Sequence, residues 1–225
     1  MMKKIVFILF IFLFFCGYAQ KKKTIEYFNI NKYKDWETKD DSSSNDKTFL
    51  KGDQYIRIMK YDSVLLEDIS SLTNPIEIRK AYSLNTQRKI YIQKKFYGFP
   101  IEITKSYNEN GKLIKETNND KDFPFNVKDL CSLIKKEYGI DLMHIEYDSD
   151  DIQLKYTVNR EQDNVTKKYM YSVKFSYADI AYTKVYVDGK TGKVFYEDSN
   201  SNGVLATQFK EKIPKSKTKF PQKQE

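Results

Sequence analysis

Pro75-Ile76-Glu77-Ile78-Arg79-Lys80-Ala81-Tyr82 returns 25 positions later as Pro100-Ile101-Glu102-Ile103-Thr104-Lys105-Ser106-Tyr107, with six of the eight residues identical. Both copies alternate apolar and polar residues, the period of a strand with one buried face. The first runs into the polar turn Leu84-Asn85-Thr86-Gln87, the second into Asn108-Glu109-Asn110-Gly111, and each continues into another alternating stretch. A repeat of this size marks one supersecondary unit used more than once. The chain is therefore expected to be organised around paired β-hairpins. Asn110-Gly111 is the strongest turn signal, since both residues tolerate positive φ, and Gly98 marks the break between the two units.

Upstream, Gln54 to Met59 alternates as a strand, and Ser63 to Asp68 reads as its hairpin partner. Ile25, Phe28 and Ile30 suggest a short strand or a turn of helix. Asp40-Asp41-Ser42-Ser43-Ser44-Asn45-Asp46 reads as a loop by composition. Trp36, the one tryptophan, reads first as an anchor packed on the sheet and second as a ligand platform.

Downstream, Asn126 to Tyr138 reads as a helix. Pro124 precedes it, Asn126 caps it, and Asp129 completes a box-like cap. Val127, Leu130, Cys131, Ile134 and Tyr138 form one apolar stripe, and Gly139 suits a left-handed stop. Four strand-like runs follow: Ile152 to Val158, Tyr169 to Tyr177, Ala181 to Val187, and Lys193 to Glu197. The turn Asp188-Gly189-Lys190-Thr191-Gly192 joins the last two. One amphipathic helix with an antiparallel sheet makes an α+β layer, the stripe covering one sheet face.

Tyr97-Gly98-Phe99-Pro100-Ile101, with Lys105-Ser106-Tyr107-Asn108-Glu109-Asn110-Gly111-Lys112-Leu113 after it, resembles MORN-type repeats over roughly residues 76–116. Ile101-Glu102-Ile103 stands where that family usually has Gly-x-Trp. The resemblance implies stacked hairpins with a structural or protein-binding role. Tyr186-Val187-Asp188-Gly189-Lys190-Thr191-Gly192-Lys193-Val194, downstream of a helix ending in Tyr138-Gly139, resembles a PepSY-like domain over about residues 126–198. That resemblance implies a secreted or envelope module, in some cases linked to peptidase regulation, and no catalytic residues.

Lys3 and Lys4 precede an unbroken apolar run of 11 residues, Ile5 to Phe15, too short to span a bilayer, which takes about 20. Gly17-Tyr18-Ala19 then supplies small residues for a cut before Gln20, the layout of a secretory signal peptide. Acylation at Cys16 is the alternative, and Phe14 and Phe15 fit it poorly; an uncleaved anchor is a second. After cleavage only Cys131 remains, so no intramolecular disulfide can form and stability must come from packing. No stable membrane insertion is expected once the leader is gone.

The formal net charge of +8 sits at the ends of the chain. Setting aside Lys3, Lys4, Lys21–Lys23 and the six lysines from Gln208 onward leaves 28 of the 39 basic residues; setting aside Glu211 and Glu225 leaves 29 of the 31 acidic ones. A near-neutral body needs no basic stripe, and no nucleic-acid partner is expected. The lysine-rich ends read as solvated tails, or as loose attraction to anionic envelope polymers.

Catalytic chemistry finds little footing. Cys131 falls inside the apolar stripe, where a thiol is inert, which argues against a nucleophilic pair with His144, the single histidine. One histidine and one cysteine make no zinc site without added carboxylates. Asp148-Ser149-Asp150-Asp151 lacks the glycine and closing glutamate of an EF-hand and reads as a solvated turn; an enzyme using these carboxylates is the third-ranked reading. Gly189-Lys190-Thr191 sits between strands, the wrong setting for a phosphate loop.

The expected fold class is thus α+β: antiparallel hairpins, then one amphipathic helix packed on an antiparallel sheet. The expected organisation is a signal peptide at 1–19, a polar segment at 20–51, hairpins at 52–120, an α+β region at 121–207 and a basic tail at 208–225. The expected function is that of an exported, non-enzymatic binding protein of the bacterial periplasm or cell surface. Its partner would be a protein or envelope polymer, with no cofactor or metal. The candidate contact residues are Tyr182, Tyr186 and Trp36. The alternative is an immunity-type inhibitor of a secreted toxin or peptidase.

Overall fold

The structure is a computed structural model that describes residues 25–43, 45–144, 154–163, 166–177 and 181–201. The expected signal peptide with Cys16, the lysines at 21–23, the tail from residue 208, Asp148–Asp151 and Ile152 lie outside the described residues.

Eight strands form one antiparallel meander in chain order: β1 (Glu37–Ser43), β2 (Asp46–Lys51), β3 (Gln54–Lys60), β4 (Val64–Ser71), β5 (Ile76–Ser83), β6 (Lys89–Phe96), β7 (Phe99–Tyr107) and β8 (Leu113–Asn118). Helix α1 (Val127–Tyr138) follows. Strands β9 (Leu154–Gln162), β10 (Tyr169–Tyr177), β11 (Ala181–Asp188) and β12 (Val194–Ser201) then make a second sheet in the order β12-β11-β10-β9. The fold is α+β but dominated by antiparallel sheet.

The two copies of the repeated phrase are β5 and β7. The break between them is no boundary. Tyr97 and Gly98, at φ 47° and 88°, close a two-residue hairpin turn that pairs Phe96 with Phe99 and carries the sheet straight through. Positive φ at both positions is what such a turn demands, and of the two only the second is held by a glycine, which adopts it without strain. At the other turn, only Gly111 has positive φ, at 79°. There Asn108 does the work expected of Asn110: its Oδ1 accepts from the amides of Asn110 and Lys112 at 3.1 and 2.9 Å, an Asx-type closure.

Of the stretch 40–46, expected as a loop, residues 40–43 instead complete β1 and Asp46 opens β2, with Asn45 in the turn and Ser44 outside the described residues. Its low strand propensity shows as a register shift between Lys39 and Ser43, tolerated because β1 is an edge strand. The N-terminal stretch makes both expected forms in miniature: a bridge of Tyr27 to Arg88 and a 3-10 turn at Ile30–Tyr33.

Helix α1 follows its sequence signals closely. Asn126 Oδ1 accepts from the Lys128 and Asp129 amides, Asp129 caps the Asn126 amide in return, and Gly139 stops the helix at φ 71°. Its buried residues are Val127, Leu130, Cys131, Ile134 and Tyr138. They pack on Val158, Tyr171, Val173, Phe175, Val185 and Val187 of the second sheet, and the same core takes in Phe96 and Ile101 of the first. Phe123 and Phe125 lead into the helix against the β11–β12 turn. A Cβ on Gly192, which already sits at φ 73°, would collide with the Phe125 ring.

Arg160 bolts the two sheets together. Its Nη1 donates to the carbonyls of Pro100 and Asn119 at 3.2 and 3.0 Å, and its Nη2 to Asp120 Oδ1 at 2.7 Å and the Tyr171 hydroxyl at 3.1 Å. The guanidinium lies 4.4 Å from the centre of the Phe123 ring and 5.0 Å from that of Phe99. Burial on apolar rings with charge-assisted bonds around its edge is the setting in which arginine contributes most.

A second core, Tyr33, Phe49, Ile56 and Ile58 with Phe28 and Trp36 against it, lies under the N-terminal segment. Charged groups strap that segment down. Glu67, fully buried, accepts the hydroxyls of Tyr33 at 2.7 Å and Tyr82 at 3.0 Å and pairs with Lys32. Glu26 pairs with Lys80 and Lys89, each at 2.6 Å. Burial favours the neutral form of Glu26, but hydrogen bonds and charge from Lys80 and Lys89 outweigh it and lower its pKa from 4.5 to about 2. A depressed carboxylate contributes stability that is complete above its unfolded pKa and fades as pH falls through the folded one. The strap is thus expected to hold unchanged above about pH 4.5 and to loosen between there and about 2. Partial exposure keeps the energy small. The emission of Trp36, the sole tryptophan, reports it: a red shift over that window, absent in Glu26→Gln, is the expected result. A Glu26→Gln profile identical to wild type contradicts it.

Candidate functional site

The second sheet has two unlike faces. In β10 and β11 the odd-numbered residues Tyr171, Val173, Phe175, Val185 and Val187 are buried under α1. The even-numbered residues project from the opposite, outer face, on which no other described element packs. Tyr182 and Tyr186 lie there, as the alternation of β11 requires. Trp36 does not join them. It packs edge-on against Tyr33, ring centres 5.3 Å apart, in the core of the other sheet.

The register brings further residues to the two tyrosines. Tyr196 is directly opposite Tyr186, with ring centres 5.6 Å apart, and Phe195 bulges out beside them at 6.2 Å. Phe195 is 47% and Tyr196 43% exposed, an aromatic patch that folding leaves in water. Tyr182 donates its hydroxyl to Asp198 at 3.1 Å, and that carboxylate, first by the hydrogen bond and then by charge, raises the tyrosine's pKa. Lys174 Nζ sits 5.0 Å over the Tyr182 ring, and Lys184 Nζ 4.6 Å over the Tyr186 ring.

Lys174 and Lys184 are also directly opposite each other across β10 and β11. Like charges so placed are destabilising. Among the described registers no other directly opposed pair has the same sign. Arg57 faces Asp68, Asp68 faces Arg79, Glu67 faces Lys80, Glu77 faces Lys95, and Lys105 faces Glu116.

At one end of this face a cavity of about 330 Å³ lies between the β9–β10 and β11–β12 turns, lined in part by Asp163, Lys168, Met170, Asp188, Lys193 and Phe195. Asp188 serves its own turn: Oδ1 accepts from the amides of Lys190 and Thr191 at 2.9 and 2.8 Å and from the Thr191 hydroxyl at 3.1 Å. Burial opposes its ionisation, yet these donors hold the carboxyl below its ordinary range. Asp163 Oδ1 likewise accepts the Thr166 hydroxyl at 2.7 Å. The aspartates therefore shape the turns.

Cys131 is buried in the main core, and desolvation, helped by Asp141, pushes its thiol up to about 11. At neutral pH it is a protonated, apolar filler. His144 is exposed just past the helix. Among the described residues no group of three or more His, Cys, Asp or Glu side chains is placed to hold a metal ion. Nor, among them, is any helix long and apolar enough to cross a membrane.

Compared with known proteins, the chain matches no family model and no curated protein.

Proposed function

We propose that this chain is an exported, non-enzymatic interaction protein of the bacterial periplasm or cell surface, and that it meets its partner with the outer face of the β9–β12 sheet. The observation that carries this reading is the cluster of half-buried Tyr186 with exposed Phe195 and Tyr196 on a sheet face that no described element covers. Large aromatics left in water beside polar side chains are the usual composition of an interface centre. The leader-like N-terminus and the likeness of residues 76–116 to MORN-type repeats and of 126–198 to PepSY-like domains support the same reading.

The test is capture from envelope extract by the immobilised mature chain, run against Tyr186→Ala/Tyr196→Ala. A partner held by wild type and lost by the double variant is the expected result. No partner above background, or equal capture by both proteins, overturns the reading. Capture of a secreted toxin or peptidase would single out the inhibitor alternative.

A further inference from the structure

The geometry points to one kind of occupant for this outer face: an acidic segment of a partner protein, its carboxylates held by the ammoniums of Lys174 and Lys184 and its apolar side chains by Phe195 and Tyr196. This inference rests on the proposed contact face and specifies its chemistry.

Every other pair of charged residues directly opposed in the described registers is of opposite sign. A ladder crosses the first sheet in which Arg57 Nε bonds Asp46 at 3.0 Å and Arg79 Nε bonds Asp68 at 2.7 Å. Lys95 reaches Glu77 at 2.6 Å and Lys105 reaches Glu116 at 3.1 Å. On the outer face of the second sheet Lys184 faces Asp198 on one side but Lys174 on the other. Two lysines oppose each other, and neither forms an ion pair among the described residues. The two carboxylates whose charge acts on Lys184, Asp198 and Glu161, are also engaged elsewhere. Asp198, across from Lys184, takes the Tyr182 hydroxyl, and Glu161 takes the Ser172 hydroxyl. The tyrosine rings beneath the two ammoniums hold them over the face. A local rule broken at one place, in a chain that obeys it elsewhere, is the mark of a site kept for binding.

The sign of the missing partner follows from the two cations. Its nature follows from their neighbours. A uniform polyanion needs an unbroken basic track, and Asp198 and Glu161 interrupt any track on this face. Phe195 and Tyr196 offer apolar contact next to the charge, which suits carboxylates alternating with apolar or aromatic side chains on a protein segment.

The experiment uses the mature chain and two variants, Lys174→Glu and Lys184→Ala, with a labelled copolymer of glutamate and tyrosine as probe, read by fluorescence anisotropy at low salt. Inorganic polyphosphate is the competing probe. Wild type is expected to bind the copolymer more tightly than polyphosphate. Lys174→Glu should bind it about tenfold or more weakly, and Lys184→Ala should weaken it in the same direction. Lys174→Glu should also melt about 2 °C higher than wild type, because it replaces a repulsion with an attraction. That gain shows the variant to be folded and separates lost binding from lost structure. Copolymer binding unchanged by both variants, polyphosphate binding as tight as the copolymer's, or a fall in Tm for Lys174→Glu overturns the inference. If Lys174→Glu keeps the captured envelope partner while Tyr186→Ala/Tyr196→Ala loses it, the face stands and the acidic occupant falls. If both keep it, the face falls as well.

Discussion

Arg160→Met is expected to lower the stability of the folded chain by about 3 kcal/mol, the lower end of the cost of breaking a buried charge pair, because the Asp120 side chain is 27% exposed. In a chain of this length that is a fall in Tm on the order of 10 °C. Methionine keeps much of the apolar contact with Phe99 and Phe123. The loss therefore comes from the groups left behind: the Asp120 carboxylate, the carbonyls of Pro100 and Asn119, and the Tyr171 hydroxyl. Arg160→Lys should recover only part, since an ammonium cannot reach four acceptors on two sheets with a planar fork. Urea unfolding measures both. A change below about 1 kcal/mol in Arg160→Met would mean that the shared core of Phe96, Ile101 and α1 holds the sheets together unaided.

Glu67→Ala is expected to cost about 3–5 kcal/mol, for a different reason. Glu67 lies fully buried on the first sheet, and its removal strands the buried hydroxyl of Tyr33, leaves that of Tyr82 with Glu26 alone, and takes a carboxylate from beside Lys32 and Lys80. In the intact protein burial, and then the neighbouring carboxylates and their hydrogen bonds, raise both phenols well above their ordinary range; burial, the largest cause, still opposes their ionisation once Glu67 is gone. The loss should appear first at the N-terminal segment. Trp36 emission is expected to change at lower urea than the far-ultraviolet signal of the sheet. A single coincident transition at the wild-type midpoint contradicts this.

Much of the scaffold was legible in the residues. The stripe on α1, its Asn126–Asp129 cap and its Gly139 stop depend on local spacing alone, which sequence displays directly. The strands of the second sheet were legible for the same reason. The junction was not. Arg160 lies on a strand whose neighbouring positions Asn159 and Glu161 are polar, and nothing local separates a buried arginine from a solvated one. The hairpin at Asn110-Gly111 was legible as well, but not its closure by a side chain two residues earlier, Asn108.

The site was half legible. Alternation placed Tyr182 and Tyr186 on one face, but it could not say which residues of β10 and β12 lie beside them. That depends on register: once Tyr177 pairs with Ala181, Lys174 must face Lys184. The bulge between Tyr186 and Val187 that turns Phe195 outward left no mark in composition. The ladder of the first sheet did leave one. Asp46, Arg57, Asp68 and Arg79 recur every 11 residues with alternating sign, and the shorter period was hidden behind the more conspicuous 25-residue repeat.

Hydroxyl-radical footprinting of the mature chain, alone and in envelope extract, asks most directly whether the outer face of the small sheet is where this protein meets its partner. Protection of Tyr186, Phe195 and Tyr196 in extract, with Tyr55 and Tyr91 of the first sheet unchanged, is the predicted result. Unaltered reactivity at those three residues, or protection confined to the first sheet, would contradict it.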